Sequence, residues 1–411
     1  MTRTVLSILF FFSIIKAQEN YSYQKPPKEI LELVDVRLPP RVLIDENRSY
    51  IVYLYRDSYK SISELSDPEI KLAGLRLNPN SNSRSRTNYY NNIMISKINQ
   101  IGKGAKQVKG LPELPKLANI RWSPDQKKVA MTNTTKDGLE LWYVDLESLR
   151  AEKLTGPKLN ASLGDVITWH QDSKNIIAKF KVKNPPEILD NENMVPTGPI
   201  ISSNDGKKAQ NRTYQDLLKN EVDEKNFETL ASSVLYKISL KGKKKLLAKE
   251  NLYYEIDFSP DGKFILISII QKPFSYLVPY YRFPTKYVIY SSKGKEITVL
   301  HEVPLIEDLP KGFMAVRTGP RNFSWRSDMP SSLIFVEALD DGNPKMDIKY
   351  RDEVFEVSYP FKQNKSSLLK TINRFYSIDW CNDTLAVGYD YWWNTRNTKA
   401  YMFNPSNKNK E

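Results

Sequence analysis

The sequence has few of the residues that build disulfide frameworks or zinc centres. Cys381 is the only cysteine among 411 residues, so no disulfide can form within the chain. The two histidines, His170 and His301, are far apart, and neither has a cysteine or a second histidine at ligand spacing. We therefore expect no metal site and no cofactor, and stability must come from packing.

The nucleophile elbow of serine hydrolases is also missing. No glycine is followed two positions later by serine, so the pattern Gly-x-Ser-x-Gly does not occur. Both histidines lie in strand-rich segments, where neither can be assigned to a Ser-His-Asp triad. The sequence therefore predicts no catalytic residue. We expect the chain to be inactive alone and leave open whether it is part of an enzyme.

Long apolar runs are absent after the first 15 residues. Arg3 precedes an apolar run at residues 5–15, and Ala17 then offers a small residue before Gln18. The run is too short to cross a bilayer, which needs about 20 residues. This pattern predicts a signal peptide at 1–17 and an exported protein, periplasmic or secreted, with no membrane segment after cleavage. The alternative is a buried N-terminal strand or helix.

The charge is strongly positive but not concentrated. The net charge is +13, and the densest cluster, Lys241 with residues 243–245, surrounds Gly242 between two strand-like runs. Such a cluster is typical of a solvated turn. We find no basic helix and no nucleic-acid-binding motif, so we expect no nucleic-acid partner. A binder of anionic polymers is a third-ranked hypothesis, and its affinity would fall steeply with salt.

One motif recurs, in which an aromatic residue is followed three positions later by aspartate. The five copies begin and end at Trp122 and Asp125, Trp169 and Asp172, Phe258 and Asp261, Trp325 and Asp328, and Trp380 and Asp383. In each copy an apolar residue lies two positions before the aromatic residue, and a strand-like run follows. We expect the aromatic residue to end an inner strand and fill the gap between sheets, while the aspartate accepts backbone hydrogen bonds in the turn.

The spacing of the copies predicts the architecture. The first two copies and the last two are each separated by about the length of one four-stranded propeller blade, roughly 40–50 residues. The much longer interval between Trp169 and Phe258 favours one blade with an insertion. A degenerate blade precedes Trp122. The sequence thus predicts an all-β fold, a β-propeller of four-stranded blades that is incomplete at five to six blades, with a small helical insertion.

These patterns divide the chain into four parts, the third of which contains an insertion. We expect a signal peptide at 1–17, an N-terminal extension at 18–40, the propeller at 41–405, and a disordered tail at 406–411. The insertion covers about 185–230, where proline-rich sequence precedes a predicted helix from Thr213 to about Leu230.

Several longer stretches resemble a known family. They are residues 72–79 (LAGLRLNP), 120–125 (IRWSPD), 212–220 (RTYQDLLKN), 273–279 (PFSYLVP) with 282–284 (RFP), 315–321 (AVRTGPR) and 392–396 (WWNTR). Together they resemble the N-terminal propeller region of S9 (prolyl oligopeptidase) serine peptidases, closest to the glutamyl endopeptidase subfamily. The resemblance covers nearly all of the chain after the predicted signal.

The resemblance implies a seven-bladed propeller that limits peptide access to an α/β-hydrolase domain carrying a Ser-Asp-His triad. This sequence contains no such domain, so the first hypothesis is a non-catalytic propeller that gates peptide substrates for a hydrolase domain in cis or in trans. The chain would then be a fragment, a truncated product or half of a split pair. The alternative is a stand-alone periplasmic or secreted propeller that binds peptide or glycan.

Three arginines are candidate substrate contacts under the first hypothesis. Arg317 and Arg321 flank Thr318-Gly319-Pro320, and Arg282 follows two tyrosines. In a peptidase that resembles a glutamate-preferring group, such arginines could attract acidic peptides through charge-assisted hydrogen bonds. The alternative for each is a structural role, in which the arginine pairs with a local carboxylate.

Overall fold

A computed structural model describes residues 24–190, 198, 213–362 and 364–407. The predicted signal peptide at 1–17 lies outside these residues. The described chain is mainly antiparallel sheet, and none of its helices is long and apolar enough to span a membrane. The helices are α1 (Lys28–Val34), α2 (Ile62–Leu65) and α3 (Glu221–Ala231), with 3-10 turns at Ile98–Lys103 and Tyr280–Arg282.

Six sheets, which we call blades 1 to 6, follow one another along the chain. In each blade the strands pair in sequence order, and a small extra sheet, β3–β5, interrupts blade 1. The strands of this first region are β1 (Arg41–Ile44), β2 (Tyr50–Tyr55), β3 (Ile70–Leu72), β4 (Leu75–Asn78), β5 (Ser83–Arg84), β6 (Asn92–Lys97) and β7 (Lys106–Gln107).

Blades 2 to 5 have four strands each and blade 6 has three. Blade 2 contains β8 (Leu117–Trp122), β9 (Lys128–Thr135), β10 (Gly138–Asp145) and β11 (Arg150–Lys153). Blade 3 contains β12 (Ile167–Trp169), β13 (Asn175–Lys181), β14 (Ser233–Ser239) and β15 (Lys244–Asn251). Blade 4 contains β16 (Tyr253–Phe258), β17 (Phe264–Ile270), β18 (Thr285–Ser291) and β19 (Glu296–Val303). Blade 5 contains β20 (Arg321–Trp325), β21 (Ser332–Ala338), β22 (Asp352–Ser358) and β23 (Ser366–Thr371), and blade 6 contains β24 (Arg374–Asn382), β25 (Leu385–Trp392) and β26 (Asn397–Phe403).

Most of the hydrophobic core lies between neighbouring blades. Blades 1 and 2 share one buried apolar cluster, and separate clusters join blades 2 and 3, 3 and 4, 4 and 5, and 5 and 6. Central strands such as β17, with its FILISII sequence, are apolar on both faces because each face packs on a different neighbour. Face-to-face packing of successive four-stranded meanders defines a β-propeller, which confirms the predicted fold class.

The seam between blades 6 and 1 differs from the other five. No buried apolar cluster joins these two blades in the described part of the chain. Val42 and Ile44 on β1 are exposed, as are Tyr376 and Met402 on blade 6. Strand β26 is the outer edge of a sheet that has one strand fewer than the others. The described ring of six blades is therefore open at this seam.

The structure agrees with the predicted insertion but not with the predicted start of its helix. The long interval between Trp169 and Phe258 contains one blade, as expected, with the insertion between β13 and β14. The predicted helix from Thr213 is wrong at its start: α3 begins at Glu221, because the Asn220 side chain caps it by accepting from the Asp223 N–H. Of the predicted tail at 406–411, the Ser406 hydroxyl donates to the Asp383 carbonyl, and 408–411 lie outside the described residues.

Candidate binding site at the loop face

The two ends of the blades carry different connections. Because the strands of each blade alternate in direction, the turns after strands 1 and 3 lie at one end, and the other connections lie at the opposite end. The first end, the turn face, carries tight turns such as Ser123 to Lys128. The second end, the loop face, carries every long connection, including 56–91, the described parts of 182–232, and 271–284. Long loops on a rigid scaffold commonly carry binding residues, so the loop face is the expected location of a binding site.

Three of the long connections pack together into what we call the cap. They share a buried apolar core that is separate from the blade seams, formed by Leu72, Ala73, Leu75, Leu77, Leu163, Leu218, Phe227, Leu230, Ala231, Leu252, Ile270, Phe274, Val278 and Phe283. The Phe227 ring meets Phe274 and Phe283 edge to face at centroid distances of 5.1 and 5.8 Å. The cap is thus a packed unit rather than a set of independent loops.

Polar contacts fix how the cap segments meet. Nε of Arg76 lies 2.6 Å from Oδ2 of Asp216, and the Gly74 N–H donates to the Asp216 carbonyl at 2.7 Å. The Tyr280 N–H donates to the Ala73 carbonyl at 2.9 Å. Gly74 has a φ of +84°, and a Cβ there would lie 2.8 Å from the Cβ of Pro279. The stretches that resemble the peptidase family at 72–79, 212–220 and 273–284 therefore meet at one place.

A cavity of about 710 Å³ lies where the cap meets the inner strands of the blades. Arg84 and Tyr280 reach it from the cap, while Arg121, Thr168, Asp257 and Phe323 line it from the innermost strands of blades 2 to 5. Because the innermost strands of a propeller surround its central channel, the cavity is part of that channel. Its wall combines charged groups with aromatic rings.

The charges in the cavity are only partly neutralised. Arg121 pairs with Asp165 at 2.7 Å, but Glu255 and Asp257 form no ion pair with any described residue. Both side chains are exposed at the channel surface, yet desolvation by the surrounding protein raises the pKa of Asp257 to about 6 and raises the pKa of Glu255. Arg84 has no carboxylate partner either, and its Cζ lies 5.8 Å from the centre of the Tyr280 ring.

A lysine is sealed behind this cavity. Lys179 on β13 is 1% exposed. Its Nζ donates to the carbonyls of Leu163, Tyr253 and Tyr254 at 2.8, 2.7 and 3.1 Å. Burial lowers the pKa of Lys179 to about 7, although Asp165 and Glu255 act in the opposite direction. The bonds to Tyr253 and Tyr254 hold blade 3 to the start of blade 4 beside the cavity, and the bond to Leu163 holds the connection that precedes β12.

The three candidate arginines occupy different surroundings. Arg321 is buried and pairs with Asp352, which also accepts from Arg374 at 2.9 Å. Arg317 is half-buried and has no carboxylate partner in the described chain; its guanidinium donates to the backbone carbonyls of Thr318 and Pro320. Arg282 is buried in the cap. The structure therefore places Arg321 in an ion network between blades 5 and 6 and does not bring the three together.

The motif aromatic residues all lie in the seams between blades. Each aromatic residue packs in the apolar cluster that joins its own blade to the preceding blade. The five residues are Trp122, Trp169, Phe258, Trp325 and Trp380. Asp125 and Asp261 accept from the serine hydroxyl and from a backbone N–H of their own turns.

The remaining motif aspartates differ from one another. Asp172 accepts from the N–H groups of Lys174 and Asn175 at 2.8 and 2.9 Å. Asp328 instead binds Arg326 through two contacts, at 3.0 and 2.6 Å. Asp383 is exposed, and in this last turn Asn382 takes the acceptor role for the Thr384 N–H.

Neither histidine belongs to a catalytic arrangement in the described chain. Nδ1 of His170 accepts from the Asp172 N–H at 3.1 Å, and burial lowers the pKa of this histidine. His301 lies within β19, and burial together with the positive charge of Arg317 lowers its pKa. Neither ring is hydrogen-bonded to a serine, threonine or cysteine side chain among the described residues.

Sequence reasoning did not identify Glu255, Asp257, Arg84 or Lys179. A signal for the first two exists, because β16 alternates buried Ile256 and Phe258 with exposed acids, which places Glu255 and Asp257 on the channel side. No comparable signal exists for Lys179. Its strand reads NIIAKFK, and the carbonyls that accept its hydrogen bonds come from the next blade and from the connection before β12.

The fold and the cap define the class of protein: a β-propeller with a ligand-sized cavity beneath its loop face.

Comparison with known proteins identifies two relatives that match nearly the whole chain. The chain is 35% identical over 402 residues to a protein of Oryza sativa subsp. japonica named "Probable glutamyl endopeptidase, chloroplastic". It is 33% identical over 398 residues to the protein of the same name in Arabidopsis thaliana. The matches cover 94% and 93% of this chain, which confirms the predicted resemblance to the propeller region of these peptidases.

The two relatives are much longer than this chain. The chain spans 42% and 41% of the lengths of these two relatives, so most of each relative has no counterpart in it. No family model matches the chain. Among solved structures, the acylaminoacyl peptidase of Pyrococcus horikoshii is similar over 90% of this chain and 45% of its own, with 12% identity and a TM-score of 0.44. At that score the likeness carries no argument about function.

Proposed function

We propose that this chain is the non-catalytic propeller of an exported S9-type serine peptidase, gating peptide access to a hydrolase domain supplied in cis or in trans. The observation that carries the proposal is the identity of 35% with a glutamyl endopeptidase over 94% of the chain. The described residues hold no nucleophile and base in contact, so the chemistry would come from the part of the relatives that this chain does not span.

The cap and the cavity suit a gate. A peptide approaching the channel from the loop face would pass the cap and then a wall carrying Arg84, Glu255 and Asp257. A narrow charged passage admits extended segments and excludes folded domains. Arg317 keeps its proposed role as a substrate contact, because its guanidinium has no carboxylate to neutralise it. We do not propose Arg321 as a substrate contact, because its guanidinium already pairs with Asp352.

The open seam supports a partner in the proposed assembly. Blade 1 (Val42, Ile44) and blade 6 (Tyr376, Met402), which border the seam, both carry exposed apolar side chains. Apolar sheet faces of this kind are covered in stable proteins. We expect additional β-structure to cover them in the complete assembly. The alternative, a stand-alone binding propeller, is less favoured because it needs a closed ring.

The test is to purify the native protein without denaturant and to treat it with a fluorophosphonate that labels active-site serines. We expect a labelled serine hydrolase either in the same polypeptide or co-purifying with it, and no labelling of residues 1–411 expressed alone. Native material that binds peptide or glycan but contains no reactive serine would favour the stand-alone propeller.

The proposed export has a separate test. N-terminal sequencing of the native protein should begin at Gln18, because cleavage after Ala17 removes the predicted signal peptide. Native protein that still begins at Met1 would contradict export by this route.

A further inference from the structure

Exposed lysines are concentrated on the turn face of blades 3 and 4. They lie in three of the tight turns at this end of the two blades and near the start of β15. None of them forms an ion pair within the described chain, whereas the neighbouring Lys263 pairs with Asp261 at 3.3 Å. We call this set the lysine patch, and it consists of Lys174, Lys241, Lys243, Lys245, Lys293 and Lys295.

Contacts between the turns make the six lysines parts of one surface. Within blade 3 the Leu240 N–H donates to the Lys174 carbonyl at 3.0 Å, which joins two of the turns. Gly294, in the turn between β18 and β19, lies so close to the carbonyl of Leu247 on β15 that a Cβ would overlap it. Leu247 follows Lys245 by two residues, so the turns of blades 3 and 4 touch where their lysines lie.

The carboxylates of the same turns do not offset this charge. Asp172 and Asp261 accept hydrogen bonds from backbone N–H groups of their own turns, and the lysines that they reach are Lys237 and Lys263, outside the patch. The sequence predicts a solvated turn for the cluster at 241–245, and the structure adds three lysines from other turns to it. Like charges gathered at one surface repel one another, and an anionic surface relieves that repulsion.

Exposed apolar side chains border the lysine patch. Leu246 is 49% exposed directly after Lys245, and Ile297 is 40% exposed near the start of β19. Tyr359, which is 61% exposed, belongs to the turn face of blade 5, and its ring stacks on Phe264 of blade 4 at a centroid distance of 5.2 Å. Lysine, aliphatic and tyrosine side chains together are typical of surfaces that rest on the headgroup region of a bilayer.

We propose that the lysine patch is a docking surface for an anionic lipid bilayer. Lysine ammonium groups are flexible point charges that can follow lipid phosphates, and each adds to the attraction near the surface. Leu246 and Ile297 would enter the headgroup region, whereas a nucleic acid offers them no apolar environment.

This mode of binding fixes the orientation of the protein. Because the turn face and the loop face are opposite ends of the blades, a protein bound through the lysine patch directs the cap and the cavity away from the membrane. The docking surface does not depend on the peptidase assignment, since binding to vesicles can be measured without any hydrolase domain.

The experiment is sedimentation of the full chain, purified without denaturant, with two kinds of vesicle. One kind is phosphatidylcholine alone, and the other is three parts phosphatidylcholine to one part phosphatidylglycerol. We expect the protein to sediment with the anionic vesicles and to be released as sodium chloride is raised, because salt screens the attraction. The neutral vesicles measure any attachment through the apolar run at residues 5–15. Equal binding to both kinds of vesicle would overturn the proposal.

Two triple variants with the same net charge locate the surface. The patch variant should partition onto anionic vesicles at least about tenfold more weakly, since each lysine near an anionic surface contributes several-fold. The control variant replaces three exposed lysines of the loop face and should bind like the natural protein. An equal loss in both would reduce the effect to net charge and overturn the site. Each single patch substitution should give a partial loss, which keeps the test informative if the triple variant does not fold. The patch variant is Lys241→Gln, Lys243→Gln and Lys293→Gln, and the control is Lys71→Gln, Lys136→Gln and Lys311→Gln.

A second arm of the experiment separates a lipid surface from a soluble polyanion. Leu246→Gln together with Ile297→Gln leaves the net charge unchanged and removes the apolar border of the patch. This double variant should bind anionic vesicles more weakly and should bind double-stranded DNA no differently from the natural protein at the same salt concentration. Vesicle binding that the double variant leaves intact, or patch-dependent binding that is tighter to DNA than to vesicles, would overturn the lipid surface in favour of a polyanion.

Discussion

The indole Nε1 of Trp325 donates a 3.2 Å hydrogen bond to the backbone carbonyl of Asp257 in the preceding blade. Trp169 makes the same contact with the carbonyl of Arg121 at 3.0 Å. In both cases the acceptor is the residue directly before the motif aromatic residue of the preceding blade. The repeated motif therefore joins blades by hydrogen bonds as well as by filling the seam.

Replacing these indoles with a ring that cannot donate tests this role. Trp169→Phe and Trp325→Phe should each lower the free energy of unfolding by about 1 kcal/mol for the hydrogen bond, in addition to any loss of packing. Trp380→Phe is the control, because this indole makes no hydrogen bond in the described chain and lies under Arg326 at 4.6 Å. Urea unfolding measures all three, and equal losses would contradict the role.

The ion pair between Arg76 and Asp216 should hold the cap closed. Asp216→Asn keeps the shape of the side chain and tolerates the φ of +59° at this position, but it removes the charge. We expect limited proteolysis to cut within the cap several-fold faster, with little change in the melting temperature of the blades. Lys272→Gln removes the more exposed pair with Glu228 and should not change the cleavage rate.

Lys179 should make stability depend on pH in a defined direction. Because its pKa is about 7 in the folded state and near 10.5 when unfolded, the unfolded chain binds more protons between these values. The burial cost is complete below pH 7 and falls as the pH rises, by up to about 1.4 kcal/mol per pH unit.

The measurement is the difference in unfolding free energy between the natural protein and Lys179→Met. This difference removes the contribution of the other titrating groups. From pH 7 to pH 10 the natural protein should gain stability relative to Lys179→Met. A constant difference in unfolding free energy over that range would refute the lowered pKa.

Gly164 should be intolerant of any side chain. Its φ is +58°, and a Cβ would lie 1.9 Å from the carbonyl oxygen of Tyr254, beside the Nζ of Lys179. Gly164→Ala should therefore cost more than about 2 kcal/mol of stability, since backbone has to move. Gly156→Ala, where a Cβ meets nothing within 4 Å, should change stability by less than about 0.5 kcal/mol. Thermal unfolding of the two variants compares them directly.

The blade architecture could be predicted from the sequence because its determinants are local. An aromatic residue, a turn and an apolar strand lie within a few residues of one another, and their recurrence gives the blade count. Helix α3 shows the limit of such reasoning. Its apolar pattern was visible, but its start depends on the Asn220 cap and on Asp216, which turns away to meet Gly74.

The sequence by itself determined the class of fold, the positions of the five blades that carry the motif and of the degenerate blade before them, and the resemblance to the glutamyl endopeptidases. Only the tertiary structure decided which charges are neutralised. Arg321 and Arg282 look alike in sequence, yet Arg321 pairs with Asp352 two strands away in the same blade, and Arg282 lies over the ring of Tyr214 in the cap. The physical reason is that the two members of such an ion pair lie far apart along the chain. Arg76 and Asp216, for example, belong to segments that come together only when the chain folds.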